Sequence, residues 1–216
     1  MRQTMPAIAA VCALALTLVM PGCGAKKAEL FNGVDFDGWT LFIPGDSVDV
    51  NQVWSVKEGV ICCTGMPNGY MRTNESFSNY ELHLEWRWAG EPTNSGVLLH
   101  CQGEDRVWPN CIECQLKAGD AGDFVLIGPG AISVDGERTL NDDGFAVIGK
   151  KEQSSEKPAG QWNHYDIVCR AGSISCSVNG VLQNSGTDAS NTSGPIALQS
   201  EGSAIEFRNI MITPLR

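Results

Sequence analysis

Between Tyr80 and Trp88 the chain reads YELHLEWRW, in which Tyr80, Leu82, Leu84, Trp86 and Trp88 alternate with Glu81, His83, Glu85 and Arg87. A period of two is that of a β-strand with one buried and one wetted face; a helix would scatter those apolar residues around its axis. Shorter runs of the same kind recur between Gly, Pro, Asn and Asp punctuation, and a long 3.6-residue apolar period is almost nowhere found. Strands are predicted at Trp54–Val56, Val60–Thr64, Tyr70–Arg72, Tyr80–Trp88, Gly96–Cys101, Ile112–Lys117, Asp123–Ile127, Ala131–Val134, Trp162–Arg170, Ser173–Val178, Val181–Gln183, Ile196–Ser200 and Ala204–Thr213. So many short strands in 216 residues make an all-β protein of two packed sheets. From Asp135 to Gly160 the chain is polar and rich in turn formers, with NDDG (Asn141–Gly144), Gly149 and KKEQSSEKP (Lys150–Pro158), and is predicted as long loops at the sheet rim.

Two runs carry more than fold class. In AIEFRNIMI, Ala204 to Ile212, the apolar phase set by Ile205 and Phe207 resumes one residue late at Ile210 and Ile212. Either a β-bulge at Arg208 and Asn209 or burial of both strand faces accounts for the slip. In VWPNCIECQLK, Val107 to Lys117, Ile112, Cys114 and Leu116 share one face while Glu113, Gln115 and Lys117 share the other. Such a polar face ordinarily meets water, and alternation alone does not separate that from a ligand.

Beyond Cys12 and Cys23 the chain holds Cys62, Cys63, Cys101, Cys111, Cys114, Cys169 and Cys176, an odd set that cannot pair completely within one chain. Cys111 and Cys114 stand at an odd offset that sends them to opposite strand faces, and no second pair has zinc-site spacing, which argues against a metal or redox C-x-x-C. Cys169 and Cys176 would sit opposite each other if Gly172 and Ser173 made a type II′ turn; we read them as small buried residues rather than a disulfide.

Arg2 precedes an apolar run from Ala7 to Met20, too short to span a bilayer but fitting a signal-peptide core, and the run ends in MPGC with Gly22 before Cys23. The pattern resembles a bacterial lipobox, whose cysteine is lipidated and becomes the mature N-terminus; a plain cleaved signal and a short membrane anchor are the alternatives. The expected organisation is a lipoprotein signal peptide at residues 1–22, a lipidated tether at residues 23–29 and a single domain at residues 30–216. The expected location is the cell envelope, on the periplasmic or outer-membrane face, with the lipid as the only membrane contact. Formal charge is −10, and loss of residues 1–22 removes Arg2 and no acid. A chain this acidic repels phosphate backbones, so nucleic acid is not an expected partner and a neutral sugar is easier to accommodate.

Four stretches, taken in order and spacing, are similar to one family: LFNGVDFDGW (Leu30–Trp39), NSGVLLH (Asn94–His100), AGQWNHYDIVC (Ala159–Cys169) with VNG (Val178–Gly180), and IALQSEGSAIEFRNIMITPL (Ile196–Leu215). Together they resemble the 3-keto-disaccharide hydrolase domain family, also described as 3-keto-glucoside 1,2-lyase and 3-keto-2-hydroxyglucal hydratase domains. The resemblance implies a concanavalin A-like jelly roll of two antiparallel sheets, one of them concave and carrying the ligand. It also implies that Glu113 and Gln115 point into the concave face, where the family pattern has a Glu-x-Gln. The activity implied is on 3-keto-glycosides. A ketone at C3 acidifies the C2 proton, a base removes it, the C1 substituent leaves, and water adds to the 2-hydroxyglucal, for net hydrolysis. Such a site needs a base, an acid at the leaving oxygen and donors or a cation for the enediolate.

The resemblance and this chemistry nominate Glu113, His100 and Glu201 as catalytic, with Gln115, Asn94, Arg106, Trp108, Asp123, Gln199 and Arg208 in contact with the sugar. Trp108 would stack on a sugar ring while Arg106 donates to its oxygens. Each also has a plain structural role open to it: a solvated turn for Glu201, a surface charge for Arg106, a core edge for Trp108, a hydrogen-bonded strand residue for His100, a loop brace for Asn94 and Arg208. The chain departs from the commoner family form, which has Arg at the position of His100, His at that of Glu201, and an Asp near Lys117 and Ala118. If the family's His is the C2 base, Glu201 or His100 replaces it here. No cofactor is required by the spacing; a divalent metal cation held by Glu113, His100 or Glu201 is chemically reasonable, with its ligands unassigned. Two rival readings stand: a non-catalytic, lectin-like carbohydrate-binding module, and retaining glycoside hydrolysis by Glu113 with Glu201 or Asp123.

Overall fold

A computed structural model describes residues 26–45 and 48–216. The predicted signal peptide, Cys23 and the first residues of the tether lie outside the described residues. The strands, in chain order, are β1 (Ala28–Glu29), β2 (Trp39–Phe42), β3 (Trp54–Lys57), β4 (Val60–Cys63), β5 (Gly69–Thr73), β6 (Tyr80–Trp88), β7 (Gly96–Gln102), β8 (Asn110–Gln115), β9 (Phe124–Ile127), β10 (Gly130–Val134), β11 (Glu137–Asn141), β12 (Phe145–Ile148), β13 (Asn163–Arg170), β14 (Ser173–Val178), β15 (Val181–Gly186), β16 (Ala197–Ser200) and β17 (Ile205–Pro214). A single helical turn, α1 (Val50–Val53), precedes β3 and is capped by Asp49, whose Oδ1 accepts from the Asn51 N–H at 2.9 Å.

One sheet has the order β15-β14-β13-β6-β17-β4-β3, with β1 also paired to β17; the other has the order β12-β9-β8-β7-β16-β5-β2. All their pairings are antiparallel, and β10 with β11 forms a separate ribbon. The core lies between the two sheets. Leu82, Leu84 and Trp86 of β6 share one buried cluster with Ile112 and Cys114 of β8, Phe124 and Leu126 of β9 and Phe207 of β17. Burial of each large side chain contributes about 1.5–3 kcal/mol, so the alternation of β6 and β8 suffices to fix which face of each strand turns inward. Behind the second sheet, away from this core, a smaller apolar cluster of Tyr70, Leu98, Cys111, Val125 and Ile127 floors the opposite face.

Four local readings are corrected. Residues 135–160 are not all loop: Asp135 and Gly136, both with positive φ, turn β10 into β11, and β12 follows as an edge strand. Turn formers there mark tight hairpins rather than an absence of strands. Part of the predicted tether is strand, since Ala28 and Glu29 pair with Ile212 and Met211. Strand β2, unpredicted, caps the opposite edge. The β13–β14 turn is made by Ala171 and Gly172 (φ 48° and 79°), which pairs Cys169 with Ile174 and Ile167 with Cys176. The two cysteines are therefore out of register with each other, and the seven cysteines from Cys62 to Cys176 are free thiols.

The phase slip in β17 is a bulge: its register with β6 shifts between Arg208 and Met211, and Asn209 adopts φ 51°. A second bulge, in β7 between Leu99 and Gln102, is centred on His100 at φ 55°.

Candidate active site

Leu98 pairs with Glu113, and Gly96 with Gln115, across β7 and β8, on the sheet face turned away from the core. Gly96 has no side chain, and the Glu113 carboxyl occupies the space above it; a Cβ built on Gly96 would collide with Glu113 Oε1. Gln199 reaches the same face from β16, Asn94 from the β6–β7 connection and Glu201 from the turn after β16. That turn is held to the connection beside Asn94, because the Ser203 N–H donates to Thr93 Oγ1 at 2.7 Å and Gly202 (φ 82°) packs against Thr93 with no room for a side chain.

These residues, with Trp108, Val125, Phe145 and Val147, line a cavity of about 300 Å³. Its walls divide by chemistry, apolar along Val125, Phe145 and Val147 and polar from Asn94 through Glu201. Glu113 is 3% exposed and Gln115 9%, so the polar side of β8 is not bathed in bulk water. Asn94 Oδ1, Glu113 Oε1 and Gln199 Oε1 are all buried and have no partner within the protein. A buried oxygen left unpaired costs about 1–3 kcal/mol, and three around one cavity are acceptors positioned for donors the protein does not supply. Gln115 completes the set differently: its Oε1 accepts from the N–H groups of Leu116 and Lys117, each at 3.0 Å, which leaves its amide nitrogen to donate.

Burial pushes the Glu113 carboxyl up to about 8, with the negative charge of Glu201 adding to the effect. Glu201 is also raised by burial, but it is half-buried and the Asn94 amide opposes the shift. Two neighbouring carboxyls thus sit in unequal environments, the deeper one protonated at neutral pH.

The cavity takes six of the ten nominated residues: Glu113, Glu201, Gln115, Asn94, Trp108 and Gln199. It does not take His100. The β7 bulge turns that imidazole off the face that Leu98 occupies and seats it edge-on against the core Tyr80, with centroids 5.6 Å apart. Nδ1 lies 2.9 Å from the Asn191 carbonyl, and burial lowers the pKa. The ring is therefore a neutral, buried brace rather than a neighbour of Glu113. Asp123 is likewise occupied, its Oδ1 accepting from the Lys150 N–H at 2.7 Å outside the cavity. Arg106 lines two adjoining cavities of about 320 and 610 Å³, the first sharing Trp108 and Phe145 with the site. Arg208 lies on the other sheet, bonded to Glu85 at 2.7 Å and stacked 4.0 Å from the Trp162 ring. Because His100 faces the core, Glu113, His100 and Glu201 do not make a three-ligand cation set. The residues that reasoning from sequence missed are Gly96, Val125, Phe145 and Val147, the last two because β12 was hidden among turn formers.

The sandwich and its carboxyl-bearing cavity define a concanavalin A-like jelly roll of the carbohydrate-active class. Similar structures include a protein from Parabacteroides distasonis ATCC 8503 provisionally assigned as a glycosyl hydrolase (26% identity, TM-score 0.65, covering 88% of this chain and 94% of that one). The fold is shared with a Bacillus licheniformis β-glucanase (12%, TM-score 0.58, 91% and 100%) and with the carbohydrate-binding module CBM66 of Bacillus subtilis (10%, TM-score 0.56, 80% and 93%). No curated protein matches the chain in sequence. The chain belongs to the 3-keto-alpha-glucoside-1,2-lyase-like domain family, whose model matches residues 26–213.

Proposed function

We propose that this domain cleaves 3-keto-glycosides by removing the C2 proton and eliminating the C1 substituent, with hydration of the 2-hydroxyglucal completing a net hydrolysis. The observation that carries the reading is the unequal carboxyl pair. Glu113, raised to about 8, holds a proton to give to the leaving oxygen, and Glu201, nearer water and beside Asn94, is the carboxylate that takes the C2 proton. With His100 in the core, Glu201 is the base in the position where the commoner family form has His. Asn94, Gln115 and Gln199 present amides for the hydroxyls and the developing enediolate oxygen, while Trp108 and Phe145 offer apolar faces to the ring. A carboxyl that keeps its proton at the floor of the pocket supports this reading over the binding-module alternative.

The test is incubation of the domain with a 3-keto-glucoside, with and without chelator, watching for the 2-hydroxyglucal or the free keto-sugar. Turnover in the parent and none in a folded Glu113→Gln variant is the expected outcome. Sugar binding without turnover under any metal would leave the lectin in its place. We further propose that residues 1–22 are a lipoprotein signal, that Cys23 carries the lipid and that the domain works at the cell envelope; labelled palmitate incorporated in the parent but not in Cys23→Ala is the expected result.

A further inference from the structure

On the opposite sheet, His83 and Glu85 stand two apart on the outer face of β6, and β13 lies beside them with His164 in register with Glu85 and Asp166 in register with His83. Four side chains that bind metals or orient metal ligands therefore form a square on one wetted face. One ligating atom from each of His83, Glu85 and His164 lies within 4.8 Å of the others. The two imidazoles meet edge to face, with centroids 5.9 Å apart.

The square is fixed from outside. Asp166 Oδ1 lies 2.6 Å from His83 Nδ1, which sets the tautomer and leaves Nε2 with its lone pair. Glu85 is bonded through Oε2 to Arg208 (2.7 Å) and through Oε1 to Asn209 (2.8 Å), both residues of the β17 bulge, and is nearly buried. Each carboxylate oxygen keeps a further lone pair. Ligands held in this way by outer partners are what a metal site requires and what a simple surface ion pair does not.

We propose that His83, Glu85 and His164 bind a divalent transition ion of the zinc class, with Asp166 orienting His83 and solvent completing the coordination. Two imidazoles and one carboxylate suit that class. Calcium and magnesium, which take six or more oxygens, do not fit a set that offers two imidazole nitrogens and one carboxylate. Bound there, the ion joins β6 to β13 on the sheet opposite the sugar cavity, so this inference does not rest on the proposed reaction.

The test is calorimetric titration of the chelator-treated, untagged chain with Zn²⁺ and, separately, Ca²⁺. One Zn²⁺ per chain and no Ca²⁺ heat is expected. The stoichiometric heat vanishes in the double variant His83→Ala/His164→Ala and the affinity falls about 10- to 100-fold in Asp166→Asn. Both histidines reach the surface, so circular dichroism of the double variant should match the parent. No Zn²⁺ heat in the parent, or equal heat in the double variant as thiols elsewhere would give, overturns the site.

Discussion

In the proposed reaction Glu113 ties activity to stability through one proton. Its ordinary value of 4.5 is raised to about 8 in the fold. A carboxyl raised in this way costs nothing below its unfolded value, costs progressively more as pH climbs toward the folded value, and reaches its full cost above it. The parent's Tm is expected to decline between about pH 4.5 and 8, and Glu113→Gln to flatten that decline, both followed by thermal melts across the range. Turnover should drop about 10²-fold or more in the same variant, and the parent's kcat should fall above about pH 8 as the acid ionises. His100 makes the contrasting case. His100→Asn keeps a residue that tolerates positive φ but loses the packing on Tyr80; stability should fall by about 1–3 kcal/mol while kcat per folded molecule is retained. Loss of kcat in the folded fraction would return His100 to the chemistry.

At the scale of elements, the alternating pattern was legible where one face met the core. Strands β6, β8, β13 and β14 are close to their predicted limits because each has a clear apolar side, and the bulge in β17 left a phase slip in the sequence, although burial of both strand faces would have left the same one. The bulge in β7 left none. Leu98, Leu99 and Cys101 are buried on both sides of it, so no apolar residue changes phase where His100 turns over. Strand β12 was unreadable for the opposite reason: Phe145 and Val147, 54% and 64% exposed, do not face the inter-sheet core but wall the candidate-site cavity. Exposed apolar residues beside buried acceptors are what a sugar ring stacks against. Phe145→Ser should therefore raise KM with Tm unchanged to within about 0.5 kcal/mol of stability, measured by kinetics and melting in parallel.

For the whole molecule, family membership and class came from order and spacing across nearly the entire chain, whereas the site needed coordinates. Glu113 and Glu201 come from two strand systems separated by the long excursion through β9 to β15, and local spacing carries no signal for such a meeting. The molecule is also held together without cross-links among the described residues. Packing between two sheets supplies the stability, and a domain starting at residue 26 should titrate seven thiols when denatured without reductant and melt at the same temperature with or without it. A lower melting point in reductant would reveal a disulfide.

The bare backbone beneath Glu113 bears on how such a domain can change over time. Its carboxyl group rests on main-chain atoms of Gly96, not on a neighbouring rotamer, so interior substitutions that loosen the sandwich can alter how many molecules are folded without altering where that group sits in each one.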